Sequence, residues 1–255
     1  MLALSNDKIN TIDTTDIKEN IKVLSSIVSV QKKDTMSASE EVLYSLMKRM
    51  LDTSRGIMFN ITYFPEIAIS TWRTAYEISV LFNIMTQPVI VKGDIKLFNK
   101  IVSRYIDYGD IVESNALQYR NDYVKKNLIR KYRELPNNET LDRDYDWANP
   151  IFTKNEFNKM NAIYHPSFRD LAEKTTETTS NLQRLIPNYK LSSNLIHQNN
   201  ASQKITQEIS IDELEHITNV SLRSVIGDFA NLMISMNKLA GNNVDGLLDW
   251  QRSYI

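Results

Sequence analysis

The chain has 255 residues, with 30 basic and 31 acidic side chains and a net charge of −1, so no global charge draws it toward nucleic acid or an anionic membrane. Six glycines, six prolines and no cysteine argue against a turn-rich β-sandwich and exclude a disulfide scaffold, a zinc finger, a cysteine nucleophile and an iron–sulfur centre. A chain of this size buries about 70% of its extended surface on folding, and its three histidines, His165, His197 and His216, must supply any histidine chemistry.

The periodicity is helical almost throughout. Residues 14–30 place Ile17, Ile21, Leu24, Ile27 and Val28 at spacings of 3 and 4, which makes one buried stripe. Ser37-Ala-Ser-Glu40 is a capping-box pattern, followed by a stripe of Val42, Leu43, Leu46, Met47, Met50 and Leu51. Pro65 suits the first turn of a third helix. That helix carries Ile67, Ile69, Trp72, Tyr76, Val80, Leu81 and Ile84 and is expected to end before Pro88. It is apolar on most sides, which places it centrally. Residues 92–134 read as one long helix with Gly109 as its candidate interruption, and 136–152 as a loop. Thr153-Lys-Asn-Glu156 caps a short helix, Pro166-Ser167 starts another that runs toward Leu185, and Pro187 opens a helix or turn. Residues 198–208 are polar and read as a loop. Ser210-Ile-Asp-Glu213 is a second capping box; it starts a long last helix with Gly241 as its left-handed stop.

The expected fold class is therefore all-α: residues 1–35 form an N-terminal helical arm and 36–255 one helical-bundle domain. No stretch of 18 apolar residues is present and the N-terminus lacks the basic and apolar regions of a signal peptide. The expectation is a cytoplasmic protein with no membrane association.

Polar residues inside apolar helices carry the functional information. Arg73 and Glu77 are four apart and share a helix face; amid Trp72, Tyr76 and Val80 they read either as an ion pair that locks the bundle or as a pocket-facing pair for an anionic group. Tyr189, Ser193 and His197 repeat at intervals of four, so on a helix they share a face and could bind phosphate or move a proton; a core histidine bonded to Ser193 is the alternative. The stretch Arg120–Arg133 has six basic residues to one acid, with Tyr123 and Tyr132 interleaved. Lys125 and Lys126 at its centre could meet RNA phosphates, or the stretch is a solvated helix face. Arg169 reads either as a substrate contact or as a surface ion pair with Glu173.

Arg73-x-x-x-Glu77, Tyr145-Asp-Trp147, Phe168-Arg-Asp-Leu-Ala-Glu173 and Tyr189-x-x-x-Ser193-x-x-x-His197, in that order, resemble a bacterial family of uncharacterised all-helical proteins likened to the HEPN superfamily, the higher eukaryote and prokaryote nucleotide-binding domains. The resemblance covers roughly residues 40–200. It implies an HEPN-like bundle with long helices that binds RNA or a nucleotide in bacterial stress or phage defence, or cleaves RNA without a metal. It also implies a homodimer, and an antitoxin or defence protein as partner.

In that reading His197 is the acid or base, Arg73 steadies phosphate charge, Glu77 orients Arg73, and Tyr189 or Ser193 holds the substrate. Ribonuclease members carry an Arg-x4–6-His motif. Here the positions seven to four residues before His197 are Lys190, Leu191, Ser192 and Ser193, so the guanidinium must come from elsewhere, with Arg73 or Arg169 as candidates. The competing class is a non-catalytic interaction or scaffold bundle whose polar cluster is structural.

Glu213-Leu-Glu-His216 has the spacing of a di-metal bundle motif, but no second Glu-x-x-His is present, and acids after a capping serine suit a helix N-terminus. His165 precedes Pro166 in a connection and reads as a surface or packing residue. No metal site or cofactor is expected, since the sequence has no glycine-rich phosphate loop, nucleophile elbow or HExxH.

Overall fold

The computed structural model describes residues 15–31, 35–116, 126–127, 130–132, 135–136, 139–178, 182–196 and 209–239, and among them every regular element is a helix. Helix α1 (Thr15–Gln31) buries the expected stripe, with Ile17, Leu24 and Ile27 almost wholly enclosed. It lies N-terminal to the boundary read at residue 35, yet it packs on the helices that follow and its stripe belongs to the same core.

Helix α2 (Ala38–Asn60) starts at the predicted capping box: the Ser37 hydroxyl accepts the Glu40 amide, and the Glu40 carboxylate accepts the Ser37 amide. A four-residue turn leads into α3 (Pro65–Lys92), the central helix, which packs most extensively on α2 and on the last helix. Trp72, Tyr76, Val80, Phe82, Ile84 and Met85 along it are fully enclosed, as its all-round apolarity predicts.

The expected stop before Pro88 is overturned. α3 continues through Pro88 for one more turn and ends at Gly93, whose φ of 64° is left-handed and whose amide reaches the Val89 carbonyl at 2.9 Å. Proline forfeits a single backbone bond here; Pro88 is itself buried, and Val89 and Ile90 beyond it pack partly against the core.

Helix α4 (Ile95–Ala116) passes through Gly109 without a break. Most of the basic stretch after it, including Lys125, lies outside the described residues, as do 198–208 and Gly241. A 3₁₀ turn, Asp146–Ile151, sits inside the expected loop, followed by α5 (Lys154–Phe157) on its predicted Thr153 cap. The helix expected from Ser167 toward Leu185 is divided: α6 (Phe168–Lys174) gives way to 3₁₀ turns at Thr175–Thr178 and Leu182–Leu185.

The reason for that division lies on α3. Tyr76, Asn83 and Gln87, on one face of the helix, bond respectively to the Leu182 carbonyl, the Thr178 hydroxyl and the Glu177 carboxylate. These contacts tie Glu177, Thr178 and Leu182 to α3. Helices α7 (Ile186–Ile196) and α8 (Ile211–Leu239) complete the bundle, the latter starting at the predicted Ser210–Glu213 box. No described helix is long and apolar enough to cross a membrane.

Candidate functional site

On α3, residues 73, 76 and 77 lie where α7 and the start of α6 meet the central helix. Arg73 Nε donates to Glu77 Oε1 at 2.9 Å, the i to i+4 bond that the sequence predicts. The same oxygen of Glu77 accepts the Tyr189 hydroxyl from α7 at 3.0 Å. The Arg73 guanidinium also lies 5.0 Å from the centre of the Tyr189 ring, within cation–π range. Three residues singled out in two distant parts of the sequence thus share one site.

The site is half-buried: the Arg73 and Glu77 side chains are 26% and 32% exposed. Burial pulls the Arg73 guanidinium down, but Glu77 and the Tyr189 phenol outweigh it and hold its pKa above the ordinary arginine value. Burial, then the charge of Glu77, raises the Tyr189 phenol. The group is therefore one cation, one carboxylate and a neutral hydroxyl. Glu77 takes the Nε edge of the guanidinium, and a guanidinium has further N–H donors on its two terminal nitrogens.

An aromatic wall backs this triad. Phe168, at the first position of α6, stacks on Tyr189 with centroids 4.7 Å apart. Tyr145 packs on Phe168 at 5.9 Å, and Tyr76 touches both Phe168 and Tyr189 from below. Burial, with the charge of Glu77 next, pushes the Tyr145 phenol up to about 12, so it is a neutral hydrogen-bond donor. Tyr145, Phe168 and Tyr189 are all partly exposed. Tyr145 and Phe168 stand in the motif pieces that carry the resemblance, but nothing in their spacing marks them as neighbours of Arg73.

The segment that carries Tyr145 is fixed from behind. Arg104 of α4, 3% exposed, donates to the carbonyls of Glu139, Thr140, Asp146 and Trp147. Burial lowers its pKa from the ordinary value, partly offset by Tyr132 and nearby carboxylates. Asp146, fully buried, accepts the amides of Asp142 and Arg143 and lies 3.0 Å from His165 Nδ1. The sequence reading missed this clasp. A hydrophilic arginine in a long helix and an aspartate in an acidic loop look solvated until the tertiary contact encloses them.

The other sequence candidates fall elsewhere. Ser193 is one turn beyond Tyr189 on α7 and partly exposed. His197 and Lys125 lie outside the described residues, and Lys126 is exposed. Arg169 bonds Glu173 at 2.7 Å on an open surface, with side-chain exposures of 67% and 41%. Glu213 closes the Ser210 cap and His216 is exposed. Among the described residues no group of three or more potential metal ligands comes together.

A cleft of about 230 Å³ lies apart from the triad, between α5 and α6, and its lining includes Glu156, Lys174 and Glu177. Its buried Lys174 is already paired with both glutamates, at 2.7 and 2.6 Å.

No family model, curated protein or solved structure matches the chain.

Proposed function

We propose that this protein is a HEPN-like, cytoplasmic RNA- or nucleotide-binding protein of bacterial stress or phage defence. In this reading it acts with a second copy of itself or with an antitoxin or defence partner. The observation that carries the binding role is the half-exposed Arg73 guanidinium, gripped by Glu77 and lying against the Tyr189 ring. A guanidinium fixed on one edge offers its remaining donors in a set geometry, the arrangement that suits a phosphate. Tyr145, Phe168 and Tyr189 present ring surface beside it for a base.

In the catalytic form of the proposal, His197 withdraws the proton of a ribose 2′-hydroxyl. The 2′-oxygen then bonds to the adjacent phosphorus as the bond to the 5′-oxygen breaks, and the leaving oxygen takes a proton from the imidazolium. Arg73 offsets charge on the phosphorus oxygens, Glu77 holds Arg73, and Tyr189 or Ser193 steadies the chain. Arg169 and the Lys125–Lys126 region serve as outlying phosphate contacts.

Fluorescence anisotropy with a short single-stranded RNA tests the binding claim. Arg73→Ala should weaken binding by about 10- to 100-fold, the loss of one or two charge-assisted bonds. Equal affinity in wild type and Arg73→Ala, or no binding by either, rules the claim out. Incubation with total RNA in chelator, comparing wild type with His197→Ala, tests cleavage.

The second reading, a non-catalytic interaction protein, is favoured by one observation: large apolar side chains exposed at the turn between α2 and α3.

A further inference from the structure

Two backbone segments meet at the edge of the aromatic wall, and two contacts join them. The Tyr145 and Phe168 rings pack at 5.9 Å. One residue beyond Tyr145, the Asp146 carboxylate lies 3.0 Å from Nδ1 of His165, which stands three residues before Phe168. Consecutive Cα atoms are about 3.8 Å apart, so His165 Nδ1 lies within about 10 Å of the Tyr145 backbone. The imidazole therefore borders the wall that backs Arg73 and Tyr189.

The bond to Asp146 fixes the tautomer. Asp146 is fully buried, and its Oδ2 accepts the amides of Asp142 and Arg143, both at 2.9 Å. An ionised carboxylate only accepts, so Nδ1 of His165 carries the proton and donates to Oδ1. The lone pair of the neutral ring is then on Nε2, which makes no hydrogen bond among the described residues. The His165 side chain is 23% exposed. An imidazole held by a carboxylate at Nδ1, with Nε2 open, is arranged to accept a proton.

The surrounding backbone is more constrained than a tie between two loops requires. Tyr164 has a φ of 66°, the one non-glycine residue with positive φ among the described residues, and its Cβ makes that conformation costly. Asn149, 1% exposed, holds it there by donating from Nδ2 to the Tyr164 carbonyl at 3.0 Å. Buried Pro166 restricts the chain on the other side. Strain of this kind gathers at functional sites.

We propose that His165 is the proton-transfer residue of the Arg73 site, acting on single-stranded RNA, with Asp146 as its positioning residue. This rests on the RNA-binding proposal and gives His165 the chemistry otherwise assigned to His197. Nε2 takes the proton of a ribose 2′-hydroxyl. The 2′-oxygen bonds to phosphorus as the bond from phosphorus to the 5′-oxygen breaks. The 5′-oxygen leaves with the proton of the imidazolium, which restores the neutral ring. The products are a 2′,3′-cyclic phosphate and a 5′-hydroxyl end, and no further reactant is consumed.

Cleavage in chelator and binding by anisotropy, both measured on the full chain with a short single-stranded RNA, test the proposal. His165→Asn puts an amide N–H near the place of Nδ1, so it can keep the bond to Asp146 while removing Nε2. It should cut cleavage about 100- to 10,000-fold, with RNA affinity and melting temperature unchanged. In His165→Gly, added imidazole should restore part of the lost cleavage, which a structural role would not permit. Asp146→Asn, which can turn an N–H toward Nδ1 and leave the ring proton on Nε2, should lower cleavage while binding persists. His216→Asn, at an exposed position on α8, should cleave like wild type.

A wild type that binds RNA without cleaving it, or His165→Asn that cleaves like wild type, overturns the proposal and leaves RNA binding standing. A loss in His165→Asn with a lowered melting temperature, and no imidazole rescue of His165→Gly, makes the histidine a structural tie and overturns it too. No RNA binding by the wild type overturns both proposals.

Discussion

Arg104→Met tests how the candidate site is supported. The arginine is enclosed and gives four hydrogen bonds, at 2.9, 2.7, 2.7 and 3.3 Å, to carbonyls of residues 139, 140, 146 and 147. Methionine keeps much of the packing of the stem and removes the donors. Hydrogen bonds to a charged group are each worth about 1.5–3 kcal/mol, so a simple sum would give about 6–12 kcal/mol. That sum is a ceiling, because bonds within one network are not additive and the removed charge no longer has to be desolvated. Water can also reach part of residues 139–144, whose flanks are exposed.

Breaking a buried charged network costs about 3–5 kcal/mol, and the middle of that range is the expected loss. For a chain of this size it lowers the melting temperature by roughly 8–16 °C. Arg104→Lys should recover only part of it, since an ammonium has three donors and no planar fork. Urea unfolding followed by circular dichroism measures both variants. A loss below about 1 kcal/mol for Arg104→Met, or wild-type stability for Arg104→Lys, would refute the reasoning that these carbonyls depend on the guanidinium.

Arg73→Ala should behave in the opposite way. Its ion pair is half-exposed and local, worth about 0.5 kcal/mol, and the Tyr189 ring adds about 1 kcal/mol; a measured loss of 3 kcal/mol or more would mark the triad as structural. The phenol of Tyr145 is pushed up to about 12, so the folded chain keeps a proton that the unfolded chain releases near pH 10. The stability this contributes is complete below that pH and is lost as pH rises toward 12. Unfolding midpoints across that window should fall less steeply in Tyr145→Phe than in wild type, and parallel slopes would contradict the assignment.

Much of the helical framework is legible in the sequence because it depends on local rules. Ser37, Thr153 and Ser210 each stand three residues before a glutamate, and each forms the capping box that this spacing predicts. The stripe from Ile17 to Val28 is buried as its period requires. Arg73 and Glu77 meet because four residues make about one helical turn. The local rules fail where another element decides. Pro88 does not end α3: it is buried inside the helix, and Val89 and Ile90 beyond it still reach the core. The expected helix after Ser167 breaks up where Tyr76, Asn83 and Gln87 take up groups of Leu182, Thr178 and Glu177.

The same division runs through the candidate site. The sequence by itself determined an all-helical chain, its main helix starts and an Arg73–Glu77 pair on one face, because each follows from spacing within a few residues. Only the tertiary structure decided that Tyr189 shares the carboxylate of Glu77 from 112 positions away, that Tyr145 and Phe168 wall the group, and that Arg104 and Asp146 are buried. These are contacts between separate elements, and helical period carries no record of which elements meet. Composition had limited histidine chemistry to three residues, and the fold joined one of them, His165, to a buried carboxylate that no sequence spacing had paired with it.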